Sequence, residues 1–153
     1  METLPKSKTK SELALELGRS MLELRNYTRQ FIQVKIRDHG INITFEMLEV
    51  MGCLWNKDGI NQQEIADFTL RDKSSMTYLL DNLVKRKMVK RVEDENDRRN
   101  KLIYLTTEGK DLRAQLQPWV AEVYEMASVD LDDDALRNSL ILTNKMISNL
   151  KKV

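Results

Sequence analysis

The stretch NQQEIADFTLRDKSSMTYLLDNLVKRKMVKRVEDENDRR, residues 61–99, carries the patterns that decide the fold of this chain. Its first residue, Asn61, is suited to cap a short helix. That helix is expected to turn three side chains inward, those of Ile65, Ala66 and Phe68. A second capping residue, Asp72, precedes a run in which apolar residues recur at helical offsets. The sequence therefore predicts a short helix, a turn, and an amphipathic helix over residues 73–87.

The hydrophobic period changes to that of β-strands after residue 87. Two β-prone runs, residues 88–92 and 101–105, are separated by residues 94–100, which contain no hydrophobic side chain. This pattern predicts a β-hairpin with a charged, projecting tip. Two helices followed by a hairpin describe a winged helix-turn-helix, so the expected fold class is mainly α with a small β-hairpin wing (α+β).

Long amphipathic helices are predicted on both sides of this unit. Residues 12–38 keep an apolar stripe, and Gly40 closes the run. At ~1.5 Å per residue such a helix is longer than a compact monomer covers, so part of its stripe is expected to face another subunit. Thr44 is expected to cap the next helix. The buried stripe of that helix is predicted to be Met47, Leu48, Met51, Leu54 and Trp55.

The last third of the chain predicts two more helices. One begins near residue 107 and contains Pro118, which is expected to kink or split it. The other follows the carboxylates of residues 132–134, which suit the positive end of a helix. Its expected inward face is Leu136, Leu140, Thr143, Ile147 and Leu150.

Composition and charge exclude several classes of protein and favour one that binds a polyanion. The 153 residues include one cysteine and one histidine, 5 Gly and 2 Pro, and carry a net charge of +1. Residues 71–110 hold 11 Lys/Arg and 7 Asp/Glu, so the basic excess lies in the middle of the chain and favours a polyanionic partner. We find no Gly-rich phosphate loop, metal-ligand spacing or catalytic triad, and no secretory or membrane-spanning segment. The expectation is a cytoplasmic protein that is not an enzyme and needs no metal or cofactor.

The outward face of the predicted helix over residues 73–87 suits a DNA major groove. Its hydroxyls and amides can bond base edges, and the basic residues at its two ends suit phosphates. In the hairpin tip, Arg99 can enter the minor groove, and Asp97 is expected to hold its guanidinium by a bidentate contact. The predicted DNA-binding residues are Lys73, Ser74, Ser75, Thr77, Tyr78, Asn82, Lys85, Arg86, Arg98 and Arg99.

The pattern Asp94-x-x-Asp97-Arg98-Arg99-x-x-x-x-x-Leu105-Thr106-x-x-Gly109 resembles the wing signature of the MarR family of bacterial transcription regulators. Residues 43–45, 64–66 and 79–83 are similar to the family as well. The resemblance implies a homodimer that binds a palindromic double-stranded DNA operator, usually as a repressor. It places Ser74, Ser75 and Tyr78 in the major groove and Arg99 in the minor groove. Three residues depart from the family pattern: Leu70 and Lys87 stand where glycine is usual, and Lys73 where proline is frequent.

The predicted organisation follows from these patterns together. It is an N-terminal dimerisation helix over residues 1–40, a winged helix-turn-helix DNA-binding domain over 41–106, and C-terminal dimerisation helices over 107–153.

A ligand site and a redox site are further hypotheses. The resemblance implies that many members release DNA when a small aromatic ligand binds, and others sense oxidants through a cysteine. Residues that could line such a ligand pocket are Tyr27, Phe31, His39, Met51 and Trp55, although stripes of this kind usually belong to the core. Cys53 is expected to lie off the apolar stripe, where Glu46 and Glu49 would raise the pKa of its thiol and disfavour oxidation.

Two alternatives to a ligand-released DNA-binding regulator stay open at this point. One is a redox-responsive regulator that acts through Cys53. The other is a winged-helix adaptor that binds protein, although such a wing has no need to present Arg99 together with Lys85 and Arg86.

Overall fold

The computed structural model describes residues 7–153 of the chain. The predicted segment 1–40 therefore includes six residues that lie outside the described part. The elements in chain order are α1 (Lys10–Asp38), α2 (Phe45–Asn56), β1 (Ile60–Asn61), α3 (Gln62–Thr69), α4 (Lys73–Lys85), β2 (Val89–Glu93), β3 (Lys101–Leu105), α5 (Thr107–Ala127) and α6 (Asp133–Leu150). The predicted fold class, mainly helical with a small β wing, is confirmed.

Local capping chemistry sets where the helices begin. The side chains of Thr44, Asn61 and Asp72 each accept a hydrogen bond from the backbone amide three residues later, at 3.2, 2.8 and 2.7 Å respectively. These bonds satisfy amides that have no partner inside the helix. All three residues were predicted as caps, and Asp132 caps α6 in the same way.

The sheet has three antiparallel strands in the order β1-β3-β2. The hairpin pairs Val89 with Leu105 and Glu93 with Lys101, as the two β-prone runs predict. Strand β1 was not predicted, because its two residues are too few to show an alternating pattern. It pairs Ile60 with Ile103 and thereby attaches the start of α3 to the wing.

A single core joins α2, α3 and α4 to the sheet. Its largest fully buried side chains are Met51, Leu54, Ile65, Met76, Leu80, Leu83, Ile103 and Val50. Phe68 was predicted to point inward, and that prediction is wrong because its residue is 77% exposed. The inward face of α3 is centred on Ile65, Ala66 and Thr69, and Phe68 lies about 100° away from it around the helix.

Helices α1 and α6 bury little of their apolar surface within the chain. Among its described residues, α1 buries only Ile32 and Ile36, both near its C-terminal end, and α6 buries none. By internal contacts the chain forms two compact units, one up to Val120 and one from Ala121 to Val153. Pro118 does not split α5, which continues to Ala127. No helix within residues 7–153 has both the length and the apolar content needed to cross a membrane.

Candidate nucleic-acid interface

Helix α4 turns one face to the core and the opposite face to solvent. Met76, Leu79, Leu80 and Leu83 anchor it in the core. The opposite face carries Lys73, Ser74, Thr77, Tyr78 and Lys85, all exposed, and Tyr78 keeps 68% of its surface open. A helix anchored along one side and polar along the other can present these side chains to a groove without repacking.

Several of the predicted DNA-binding side chains already have partners within the chain. The Thr77 hydroxyl accepts from the Gln62 amide at 2.7 Å and donates to the Lys73 carbonyl at 2.9 Å. The Ser75 hydroxyl donates to the Asp72 carboxylate at 3.1 Å. These two hydroxyls therefore hold the first turn of α4 in place, whereas Ser74 and Tyr78 are the freer groups for reading bases.

Arg86 and Asn82 close the other end of α4. The Arg86 guanidinium donates to the Asn42 carbonyl at 2.9 Å and to the Asn82 side chain at 3.2 Å. The Asn82 amide in turn donates to the Tyr78 carbonyl at 2.9 Å. In this arrangement both residues cap the helix and tie it to the loop before α2, and their contact with DNA stays a prediction.

The wing tip is organised by carboxylates that bond to the backbone. One Asp97 oxygen accepts from the Arg99 amide at 3.0 Å, and one Asp94 oxygen accepts from the Asn96 amide at 3.0 Å. Asp97 was predicted to grip the Arg99 guanidinium, but no such ion pair exists among the described residues. An Asp side chain reaches the amide two residues on more readily than a distant guanidinium, and that bond forms an Asx turn. Asp97 thus shapes the tip and leaves the exposed Arg99 side chain available.

A cationic cleft lies between the first turn of α4 and the wing. This cavity of about 390 Å³ is lined by Gln62, Gln63, Ala66, Lys73, Thr77, Arg99, Asn100 and Lys101. Three of these side chains are cationic, and none is a carboxylate, so the cleft suits the phosphate backbone of DNA. Gln62, Gln63 and Lys101 were not predicted as site residues, because only the tertiary structure brings the start of α3 and strand β3 beside α4.

Contacts at the base of the wing set its position against α4. The Arg91 guanidinium on β2 lies 2.7 Å from the Asp81 carboxylate on α4. One Asp58 oxygen accepts from the Leu105 amide at 2.9 Å. Gly109 lies so close to the Met88 carbonyl that an added Cβ would be 2.2 Å from its oxygen. A residue larger than glycine therefore cannot be placed at position 109 without moving the Met88 backbone.

The five predicted ligand-pocket residues have unequal access to a ligand. Met51 is fully buried in the core, and Tyr27 is exposed on α1. The His39 ring lies 4.5 Å from the Trp119 ring. Trp55 lines a cavity of about 310 Å³ with Arg113, Leu116 and Val120, and Phe31 packs against the core. Met51 is therefore out of reach unless the core repacks, and Trp55 has the best access.

Cys53 belongs to the core rather than to the surface. It was predicted to lie off the apolar stripe of α2, which is wrong, because only 8% of the residue is exposed. Burial raises the pKa of its thiol, and the neighbouring Glu49 carboxylate raises it further. The direction agrees with the prediction, but burial is the larger cause. A buried thiol of raised pKa is a poor sensor of oxidants.

Comparisons with known proteins agree with this architecture. Residues 43–101 match the family model described as MarR family. The chain is 29% identical to the HTH-type transcriptional regulator TtmR of Methylorubrum extorquens, over 60% of this chain and 47% of that protein. It is 34% identical to the HTH-type transcriptional regulator MhqR of Bacillus subtilis, over 61% of this chain and 64% of that protein. The match thus spans about half of one relative and under two thirds of the other.

A solved structure extends the similarity to nearly the whole chain. The crystal structure of a MarR transcriptional regulator from Methanosarcina mazei superposes with a TM-score of 0.76 at 27% identity, covering 89% of this chain and 90% of that one. The relatives are named as regulators and not as enzymes, as the sequence predicts. Residues 43–101 thus match the MarR family of transcriptional regulators, and the caps, wing and core described above give the chain the winged-helix fold of a MarR regulator.

Proposed function

We propose that this protein binds double-stranded DNA sequence-specifically as a homodimer and represses transcription from a palindromic operator. The observation that carries the proposal is the cationic cleft, where Lys73, Arg99 and Lys101 meet beside the exposed face of α4. A DNA strand that follows this cleft would bring Ser74 and Tyr78 to base edges and Arg99 to the minor groove.

The unburied apolar faces of the terminal helices support the dimer. Leu15, Leu22 and Leu24 on α1 and Leu140 and Ile141 on α6 are all exposed in the single chain. Apolar surface of this extent on two helices is typical of an interface between subunits. Two copies of α4 in such a dimer would reach successive major grooves, about 34 Å apart.

Release of DNA by a small aromatic ligand is part of the same proposal. Its support is the cavity of about 310 Å³ beside Trp55, which has both aromatic surface and the Arg113 guanidinium. A cleft of mixed apolar and cationic lining suits an aromatic acid. The redox alternative has less support, since the Cys53 thiol is buried.

Selection of bound duplexes from a random pool tests the proposal. We expect enrichment of one palindrome with half-sites one helical turn apart. A pool that stays random after several rounds, with folded protein, would contradict sequence-specific binding. Enrichment of a site without dyad symmetry would contradict the dimer and leave DNA binding intact.

A further inference from the structure

Glu49 on α2 forms ion pairs with two arginines from different parts of the chain. One carboxylate oxygen lies 2.7 Å from the Arg71 guanidinium, and the other contacts the guanidinium of Arg25 on α1. The Glu49 side chain is only 18% exposed, so solvent screens these contacts less than it screens a surface pair. Glu49 therefore joins α1 to the segment that contains Arg71.

Arg71 lies in the turn between α3 and α4. Its backbone amide donates to the Ala66 carbonyl at 3.0 Å, which closes the end of α3. Its side-chain Nε is buried and has no hydrogen-bond partner among the described residues. Among the described residues Glu49 is its only ion-pair partner; the Glu46 carboxylate also interacts with its charge but does not form an ion pair with it.

The turn sets where α4 begins. Asp72, which caps α4, and Lys73, which lines the cationic cleft, directly follow Arg71 in the chain. We propose that Glu49 is a positioning residue for DNA binding: by holding Arg71 it fixes the turn, and through Arg25 it couples α4 to α1. This proposal rests on the proposed function, because the position of α4 matters only if α4 binds DNA.

A second ion pair between the same two helices provides a matched control. The Arg29 guanidinium on α1 lies 2.9 Å from the Glu46 carboxylate on α2. Glu46 lies one helical turn from Glu49, but its carboxylate makes no ion pair with Arg71. Glu46→Gln and Glu49→Gln therefore remove the same charge and each break an α1–α2 pair, while only Glu49→Gln also breaks the direct ion pair with Arg71.

The direction of the change in DNA affinity distinguishes a positioning role of Glu49 from a general effect of its charge. Removing a carboxylate makes the protein more positive, which by itself strengthens binding to DNA. We nevertheless expect Glu49→Gln to weaken binding to the selected operator by about two- to thirtyfold, the range usual for residues that couple sites at a distance. Glu46→Gln is expected to bind as tightly as wild type or slightly more tightly. The salt dependence of Glu49→Gln should stay as steep as that of wild type, because no phosphate contact is lost.

Hydrogen exchange of the full-length protein without DNA supplies a second readout. Amides of residues 70–76 should exchange faster in Glu49→Gln than in Glu46→Gln, with both variants equally folded by circular dichroism. Equal exchange of these amides, or operator binding by Glu49→Gln at least as tight as by Glu46→Gln, would overturn the proposal. If the proposed function is wrong, the wild-type protein itself binds no selected duplex. The exchange comparison between the two variants still tests whether Glu49 holds the turn.

Discussion

Two residues that flank α4 adopt a backbone conformation that side chains disfavour. Leu70 has φ 54° and ψ 40°, and Lys87 has φ 58°. The left-handed region costs a residue with a Cβ about 1–2 kcal/mol. Both are positions where the resemblance to the MarR family implies glycine, so the side chains at these two turns carry a cost in stability.

Substituting Leu70 by glycine should therefore stabilise the protein. The Leu70 residue is 92% exposed, so its removal loses little buried surface. We expect Leu70→Gly to raise the free energy of unfolding by about 1 kcal/mol, after the extra chain entropy of glycine is subtracted. Urea unfolding measures the change.

Gly40→Ala serves as the control for Leu70→Gly, because it is expected to change the stability in the opposite direction. Gly40 has φ 64°, and an added Cβ would meet no atom within 4 Å. Gly40→Ala should lower stability by about 1 kcal/mol through backbone strain alone. A loss of stability in Leu70→Gly would contradict the strain at the turn.

The proposed minor-groove contact assigns its central role to Arg99. We expect Arg99→Ala to weaken binding to the selected operator by about 1–3 kcal/mol. Because the side chain is exposed, the urea midpoint should not move. Arg37→Ala, an exposed arginine on α1, removes the same charge away from the cleft and serves as the control. Equal losses in the two variants, measured by fluorescence anisotropy, would remove the specific role of Arg99.

At the scale of elements, the start of α4 depends on the Asp72 cap. Hydrogen bonds from the Ser75 amide and hydroxyl lower the pKa of the Asp72 carboxyl from its ordinary value of 3.8. The folded state thus holds the proton less tightly than the unfolded chain does. The stabilisation by the carboxylate is present above pH 3.8 and is lost as the pH falls through the lowered folded-state value.

Asp72→Asn isolates this titration. The amide keeps an oxygen that accepts from the Ser75 backbone, but it has no charge to lose. We expect wild type to be more stable than Asp72→Asn at pH 6 and to lose that advantage in acid, as measured by urea unfolding at several pH values. An advantage of the same size at every pH would show that the charge plays no part.

Helices and strands could be predicted where their pattern depends on residues close together in the sequence. Thr44, Asn61 and Asp72 were identified as caps because a cap bonds to an amide three residues away. The helical period likewise predicted the buried face of α4. Strand β1 and the outward position of Phe68 depend on pairing and packing across the fold, which a local pattern does not report.

The candidate site was predictable only in part for the same reason. Tyr78 and Arg99 follow from a helix face and a hairpin tip, and both are exposed in the structure. Gln62 and Lys101 join the cleft only because β1 pairs with β3 beside α4. The predicted partner of Asp97 was wrong because the Arg99 backbone amide competes with the Arg99 guanidinium for the same carboxylate.

At the scale of the whole molecule, the exposed apolar faces of α1 and α6 predict a dimer. Light scattering at micromolar concentration should give twice the mass of the 17.9 kDa chain. Leu140→Asp places a charge on the exposed apolar face of α6 and is expected to shift the protein toward monomer. Leu70→Asp adds the same charge at an exposed leucine outside the terminal helices and should leave the dimer intact. A monomeric wild type would contradict the dimer.

Binding of the selected operator as a function of salt tests the central claim most directly. If several phosphates are neutralised by the cleft residues of two subunits, affinity should fall roughly a thousandfold between about 50 and 200 mM salt. A scrambled duplex of the same length should bind much more weakly throughout, because it offers only the phosphate contacts. A flat salt response, or equal affinity for the two duplexes, would contradict sequence-specific DNA binding by this protein.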